Sequence, residues 1–289
     1  MSARMNRRSM TQRVLHGRWH HSLLLHTVVM VAVVIAIVPV FWTVSTSLKP
    51  LHEVYAYPPK WIPSQFMWQN YVTAWNDAPF DRYAFNSLFV TTIILVSQLI
   101  LGSLAAYVFA RLQFPGRDLI FLAFLATMMV PTQVLIVPTF VIFKHLGWID
   151  TYMALTVPFL VNAFGVFLIR QSYLSVPEDL VDAARIDGAG HLRIIWNVLV
   201  PVSKPAYVSF ALLTFTWRWN DYFWPLIMTN STEMRTLPVG LVFLRTTEGS
   251  IEWNVVMAAA VFVIAPIIVL FLIFQRYFVQ GVIASGVKM

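Results

Sequence analysis

Ser175-Val-Pro-Glu-Asp-Leu-Val-Asp-Ala-Ala-Arg-Ile-Asp-Gly-Ala-Gly190 decides how this chain is read. The stretch is too polar to enter lipid and too patterned to be a plain loop. Ser175 followed by Glu178 fits a capping box, with Pro177 in the first turn, where proline is tolerated. Glu178, Asp179 and Asp182 cluster near the N-terminus and suit the helix dipole. Gly188 and Gly190 are natural stop residues. A helix of about three turns over 176–187 is therefore predicted. Leu180, Ala183, Ala184 and Asp187 fall on one stripe by helical spacing. Leu180 supplies an apolar knob, and the two alanines keep that face narrow enough to enter a groove. Periodicity alone leaves two readings open: a helix that passes a push from a soluble partner into the membrane, or an amphipathic helix lying on lipid.

Working outward, the flanks are membrane. The chain has 289 residues, 58% of them hydrophobic and only 11% charged, with a mean hydropathy of +0.70. A soluble domain carries about 25% charged residues, so these charges are too few to keep the chain in water. A spanning helix needs about 20 largely apolar residues. Five stretches without formal charge qualify: Ser22–Leu48, Tyr83–Ala110, Leu119–Phe143, Thr151–Ile169 and Asn254–Gln275. A sixth, Pro205–Met228, carries Arg218 and Asp221 but is needed to connect its flanks. The first run, 27 residues long, exceeds the roughly 7–15 residue apolar core of a cleaved signal and reads as an uncleaved span.

Charge orients the spans. A net charge of +7 could mean nucleic acid in a soluble protein. Here the positive residues sit between apolar runs, which is a topology signal, and no nucleic-acid partner is expected. With the N-terminus inside, the inner segments hold thirteen Lys and Arg and the outer ones six. Both termini are expected to be cytoplasmic. The 49–82 segment then lies outside and is rich in proline and tryptophan. Its tryptophans suit the headgroup layer, and a docking surface for an external partner is the sharper alternative. There are no cysteines, which excludes disulfides, thiolate catalysis and cysteine metal sites; no metal or catalytic residue is expected.

An ionisable residue inside a span is a functional candidate. Arg218, Asn220 and Asp221, near Trp224, combine planar donors with aromatic faces and suit sugars or phosphate esters. At spacing three, Arg218 and Asp221 can instead simply pair with each other. Prolines 131 and 138, one heptad apart, predict kinks in the third span.

The 182–201 segment resembles the cytoplasmic signature of permease subunits of binding-protein-dependent ABC importers: Glu-Ala-Ala, three residues, Gly, nine residues, Ile, one residue, Leu-Pro. Here Asp182-Ala183-Ala184 is followed after three residues by Gly188, then by Val198, Val200 and Pro201 at the same spacing. Asp182, Val198 and Val200 depart from the pattern, all mildly, although Asp182 shortens the acidic side chain. Phe109-Ala-Arg-Leu-Gln-Phe-Pro-Gly116, Met129-Val-Pro131, Trp219-Asn-Asp221, Leu237-Pro-Val-Gly-Leu241 and Gln275-Arg-Tyr-Phe-Val-Gln-Gly281 look like carbohydrate-type permeases, both maltose-type and glycerol-3-phosphate-type.

The resemblance implies an all-α polytopic fold of six transmembrane helices, type I ABC importer permease, in a bacterial inner membrane. It divides the chain into a basic cytoplasmic tail (1–21), a first span with its external loop (22–82), a permease core (83–278) and a cytoplasmic tail (279–289). Glu178, Leu180, Asp182, Ala183, Ala184, Asp187, Gly188, Val198 and Pro201 would couple to an ATPase. Pro238 and Gly240 would lie in a loop reaching toward the external solute-binding protein. A different second permease, two ATPase subunits and that binding protein are the implied partners, beside membrane lipid. No Gly-x-x-x-x-Gly-Lys-Ser/Thr loop is present, so ATP and magnesium are expected on the partner ATPase. An intramembrane enzyme would need convergent acid/base or metal groups at membrane depth, which the spans do not offer. A structural or receptor-type protein would not need the spaced signature.

Overall fold

Hydrocarbon offers no partner to a backbone amide, so apolar runs of this length fold as helices. The computed structural model describes the backbone of residues 3–244 and 251–286 and the side chains of 24–244 and 251–275. The basic side chains of the two termini and Arg245 lie outside these. Every regular element described is helical: α1 (Ala3–Ser47), α2 (Leu51–Val54), α3 (Gln69–Asn76), α4 (Phe80–Arg111), α5 (Arg117–Ala126), α6 (Thr132–His145), α7 (Tyr152–Thr156), α8 (Ala163–Leu174), α9 (Glu178–Ile186), α10 (His191–Ile194), α11 (Val200–Val202), α12 (Lys204–Trp219), α13 (Phe223–Met228), α14 (Leu237–Leu244) and α15 (Trp253–Gly286).

Leu24–Ser47, Phe80–Arg111, Tyr152–Leu174 and Trp253–Gln275 are each long and apolar enough to cross a membrane. Two bent pairs raise the number to six. α5 and α6 meet at 93°, and the segment His191–Val202 meets α12 at 84°. The third expected span is thus present but broken at Pro131. Proline lacks an N–H and pushes the residue before it out of the helical region; Val130 is accordingly extended, at φ −84 and ψ 115. Pro138, by contrast, sits inside α6 without ending it.

The fifth expected span needs correction. Pro205–Met228 is not one helix: α12 stops at Trp219, and α13 begins at Phe223. Its bent companion lies before it, not after it. There the chain makes a π-helical turn over Ile195–Leu199, just ahead of Pro201, whose ring and missing N–H disrupt the regular ladder.

The chain divides into two compact units, Met1–Tyr71 with Glu252–Val261, and Val72–Ile251 with Phe262–Met289. The second holds the core. There α4 packs against α8 and α12. Gly165 permits the α8 approach to α12, since a Cβ there would lie 2.2 Å from the Phe210 ring. At the α9 end the buried cluster includes Tyr107, Ile169, Tyr173, Val181, Leu199 and Phe210. A separate cluster of Ile94, Leu155, Trp224 and Met228 lies nearer the start of α4.

In the first unit, the segment after α1 folds back on the helix end. Asn70 Nδ2 donates to the carbonyls of Ser47 (2.8 Å) and Lys49 (3.0 Å). Lys49 Nζ lies 4.0 Å from the centre of the Trp42 ring. Glu53, buried, accepts from Lys60 Nζ at 2.7 Å and from the Ser64 N–H at 3.2 Å. The Lys60 hydrogen bond foremost, with those of Ser64, pushes its carboxyl down to about 2. The unfolded segment, with a carboxyl near 4.5, takes up the proton first as pH falls. The lock's contribution is therefore complete above about 4.5 and lost between there and about 2. Hydrogen exchange at the Ser64 amide, corrected for intrinsic rates, should stay protected from pH 7 to about 4.5 and lose protection toward pH 2. Glu53→Gln should lose that protection already at pH 7.

Candidate functional site

α9 is a short, largely exposed helix with both ends tied down. Its C-terminus closes as the glycines suggested. Gly188 has φ +76, its N–H donates to the Arg185 carbonyl at 3.0 Å, and the Ala189 N–H donates to the Ala184 carbonyl at 2.9 Å. This pair of bonds is a Schellman closure, which needs a left-handed residue where it turns.

The N-terminus is held differently from the expected capping box. The helix starts at Glu178 behind Pro177, with no side-chain cap. Ser175 Oγ donates backward to the Ser172 carbonyl at 2.7 Å. Glu178 is taken by Arg111, whose guanidinium also donates to the carbonyls of Tyr173 and Val176, each at 2.6 Å. Two opposite formal charges attract more strongly than a carboxylate and a neutral N–H at the same distance, so the guanidinium wins. The Arg111 side chain is 5% exposed. It therefore knots the last turn of α4 to the end of α8 and the start of α9. Sequence reasoning counted Arg111 only as an inner positive charge; its place beside the Phe114-Pro-Gly116 turn, ending the longest charge-free span, was the available signal.

The predicted stripe splits. Val181 is fully buried, and Ala184 packs against the core beside it. Leu180, Ala183 and Asp187 face outward, with Ile186 the most exposed at 86%. Exposed Asp182 accepts from Arg185 Nη1 at 2.8 Å, and the same nitrogen lies 3.6 Å from Glu178. Further along, Val198 is half-buried and Pro201 exposed, while Leu199 between them is buried. Tyr107, buried in α4, meets His191 Nδ1 at 2.7 Å just past the glycines. Beneath, the Tyr173 and Tyr207 hydroxyls share a bond of 2.5 Å, and Ser103 extends the chain.

A second constellation forms where α12 breaks. Arg218 Nη1 donates to Asp221 Oδ2 at 3.0 Å, the pairing that the spacing allowed. The guanidinium lies 3.8 Å from the centre of the Phe159 ring. Asp221 Oδ1 accepts the Trp224 N–H at 3.3 Å, and Trp224 Nε1 donates to the Ala154 carbonyl at 2.9 Å. Thr132, Gln133, Phe159, Arg218, Asp221 and Trp224 line a cavity of about 190 Å³. Asn220 does not join them; its amide turns back to the Thr216 carbonyl.

Pro238 and Gly240 lie in helix α14 rather than in a loop. Gly240 is buried, and a Cβ on it would come within 2.2 Å of the Tyr83 ring. Packing against α4 accounts for this glycine. Among the described residues no group of three His, Asp or Glu side chains could hold a metal ion.

The membrane helices, the anchored exposed helix and the signature spacing define a transport component. The model of the family "binding-protein-dependent transport system inner membrane component" matches residues 98–284, and the chain belongs to that family. The sn-glycerol-3-phosphate transport system permease protein UgpE of Yersinia enterocolitica serotype O:8 / biotype 1B is 33% identical over 267 residues, spanning 90% of this chain and 95% of the relative. UgpE of Escherichia coli O1:K1 / APEC matches to the same extent. A chain in the crystal structure of a bacterial ABC transporter that imports the acidic polysaccharide alginate superposes with a TM-score of 0.80 at 26% identity, covering 89% of this chain and 96% of that one. A chain in the alginate transporter bound to its periplasmic protein, at 15% identity, shares the fold with a TM-score of 0.62, covering 86% of this chain and 92% of that one. The expected type I ABC importer permease fold is thereby shown.

Because Gly188 is left-handed, Gly188→Ala should cost roughly 1–2 kcal/mol of local stability, read as faster exchange at the Gly188 and Ala189 amides. Gly188→Asn, which tolerates that conformation better, should lose less.

Proposed function

We propose that this chain is one of two different permease subunits of an ATP-driven importer, forming half of its translocation path. α9 is its coupling helix, and ATP hydrolysis resides on two ATPase subunits. The observation that carries this reading is the two-sided character of α9. Val181, Ala184 and the Arg111 knot hold one side to the membrane helices, while Leu180, Ala183 and Ile186 present a narrow apolar face outward. A large apolar side chain left in water beside small ones suits a groove in a protein partner.

Closure of the ATPase pair would push on α9. The Arg111 guanidinium would pass that displacement to the ends of α4 and α8 together. The positive-inside bias supports cytoplasmic termini in an inner membrane, which puts α9 on the ATPase side and the 49–82 segment outside, facing a solute-binding protein.

The cargo is a sugar or oligosaccharide. A glycerol-3-phosphate-like ester is the second reading, favoured by the names of the Yersinia and Escherichia relatives. The external binding protein would set the choice between them, and binding assays on that partner would read it directly.

Leu180→Asp with Ala183→Asp should leave membrane insertion intact and weaken ATPase association at least tenfold, about 1.4 kcal/mol, with parallel loss of uptake. Normal uptake and normal copurification of the ATPase would sink the assignment. Val181→Asp, which buries a charge in the core, should instead lower the yield of folded protein.

A further inference from the structure

We infer that the cavity at the α12 break is a cargo subsite for the uncharged, hydroxyl-bearing part of the transported molecule, one sugar ring or one glycerol unit. This inference rests on the permease reading and adds to it what the site would recognise.

The charge balance comes first. Arg218 and Asp221 are bonded to each other at 3.0 Å, so the wall carries a cation and an anion and no net charge. A phosphate or carboxylate entering here would meet Asp221 as well as Arg218. Held on the free donors of Arg218, it would lie beside the Asp221 carboxylate, and like charges that close repel. Hydroxyl groups meet no such conflict, because each both donates and accepts.

The remaining bonding capacity fits the same ligand. A guanidinium has five donors in a fixed fork, and a carboxylate about four acceptor sites. Arg218 gives Asp221 one donor, and Asp221 accepts that bond and the Trp224 N–H. Exposed Thr132 and Gln133 add a hydroxyl and an amide to the lining. Donors and acceptors thus stand side by side, as neighbouring hydroxyls on a carbon chain require. The Phe159 ring lies beneath the guanidinium, and half-exposed Phe223 stands at the rim. These rings offer flat faces to the C–H side of a polyol.

Size and access narrow the ligand further. The volume of about 190 Å³ is below the roughly 300–1,000 Å³ of a site for a drug-sized ligand. It accepts one small unit of a longer cargo. On its other side the ion pair borders a space of about 10 Å³, next to Ser87 and Thr236. That is the size of a single water, so among the described residues the larger cavity is the face that leaves room for cargo beside the pair. Arg218 stands in the last turn of α12 and Asp221 just past its end, and both line the cavity.

The natural absence of cysteine makes a direct test available. Thr132→Cys in the assembled complex, reconstituted in lipid nanodiscs, is labelled with an uncharged maleimide and read on this chain after gel separation. Maltose and glycerol 3-phosphate should each slow the labelling several-fold, while inorganic phosphate should not. Met129→Cys, exposed and outside the cavity wall, should label at a rate that none of the three changes. Adding Asp221→Asn to Thr132→Cys frees Arg218, and inorganic phosphate should then begin to protect.

Protection by inorganic phosphate equal to that by glycerol 3-phosphate without that substitution would overturn the inference in favour of an anion site. So would a reactive thiol that neither maltose nor glycerol 3-phosphate protects, or a thiol that never reacts because the assembly covers the cavity. The same preparation separates the two readings. If the ATPase and second permease fail to copurify, the importer assignment falls; if they copurify and protection fails, only the subsite does.

Discussion

Hydrocarbon offers no hydrogen-bond partner, so every backbone group freed by a helix break must find one inside the protein or in a cavity that it lines, at several kcal/mol if it does not. This constraint governs where the chain can bend. At the break between α7 and α8, Gln98 Nε2 donates to the Phe159 carbonyl at 2.7 Å and Ser97 Oγ to the Leu160 carbonyl at 3.1 Å. Asn162 then caps α8 by accepting the Gly165 N–H. At the break after α12, Asn220 returns to the Thr216 carbonyl, and Asp221 accepts the Trp224 N–H in the first turn of α13. Trp224 meanwhile reaches back to the Ala154 carbonyl. These Gln, Ser, Asn and Trp residues are thus less a scattering of polar residues in apolar helices than the set of donors and acceptors that makes the breaks tolerable.

The same constraint explains why α4 is central. It runs unbroken over 32 residues, about 48 Å of helix. Gln98 in its middle closes the break that carries Phe159, and Arg111 at its end knots α8 to α9. The two are thirteen residues apart, about 20 Å along the helix. Force applied to α9 therefore meets a rigid rod that is hydrogen-bonded near the cavity. This is a contiguous physical connection between the two constellations, of the kind that coupling between distant sites can use.

What the sequence disclosed follows from what each signal measures. Apolar run length disclosed four spans outright and the third expected span as a bent pair, since it depends only on the lipid as solvent. Gly188 disclosed its own turn, since only glycine is at ease at that φ. The fifth span was misjudged because Arg218-Trp-Asn-Asp221 reads as a charged interruption in a hydrophobic run, while a break there depends on Asn220 and Trp224 finding carbonyls that hydropathy does not see. The capping box failed for a related reason. Ser175 and Glu178 have the right spacing, but Arg111 lies 67 residues away from Glu178 and outbids the local bond. Gly240 looks like loop glycine, whereas its requirement is the ring of Tyr83, a residue far back in the chain on α4.

The acidic residue of the signature is the instructive remainder. Asp182 bonds Arg185 one turn on, but both are substantially exposed, and pairs of this kind contribute about 0.3–0.5 kcal/mol. The folding of α9 rests elsewhere: on buried Val181, on the Gly188 closure and on the Arg111 knot. Ala183, outward-facing, likewise contributes no packing to the core. Half of the signature is therefore accounted for by the fold and half is not. Asp182 and Ala183 lie on the half left facing outward, where the core makes no use of them.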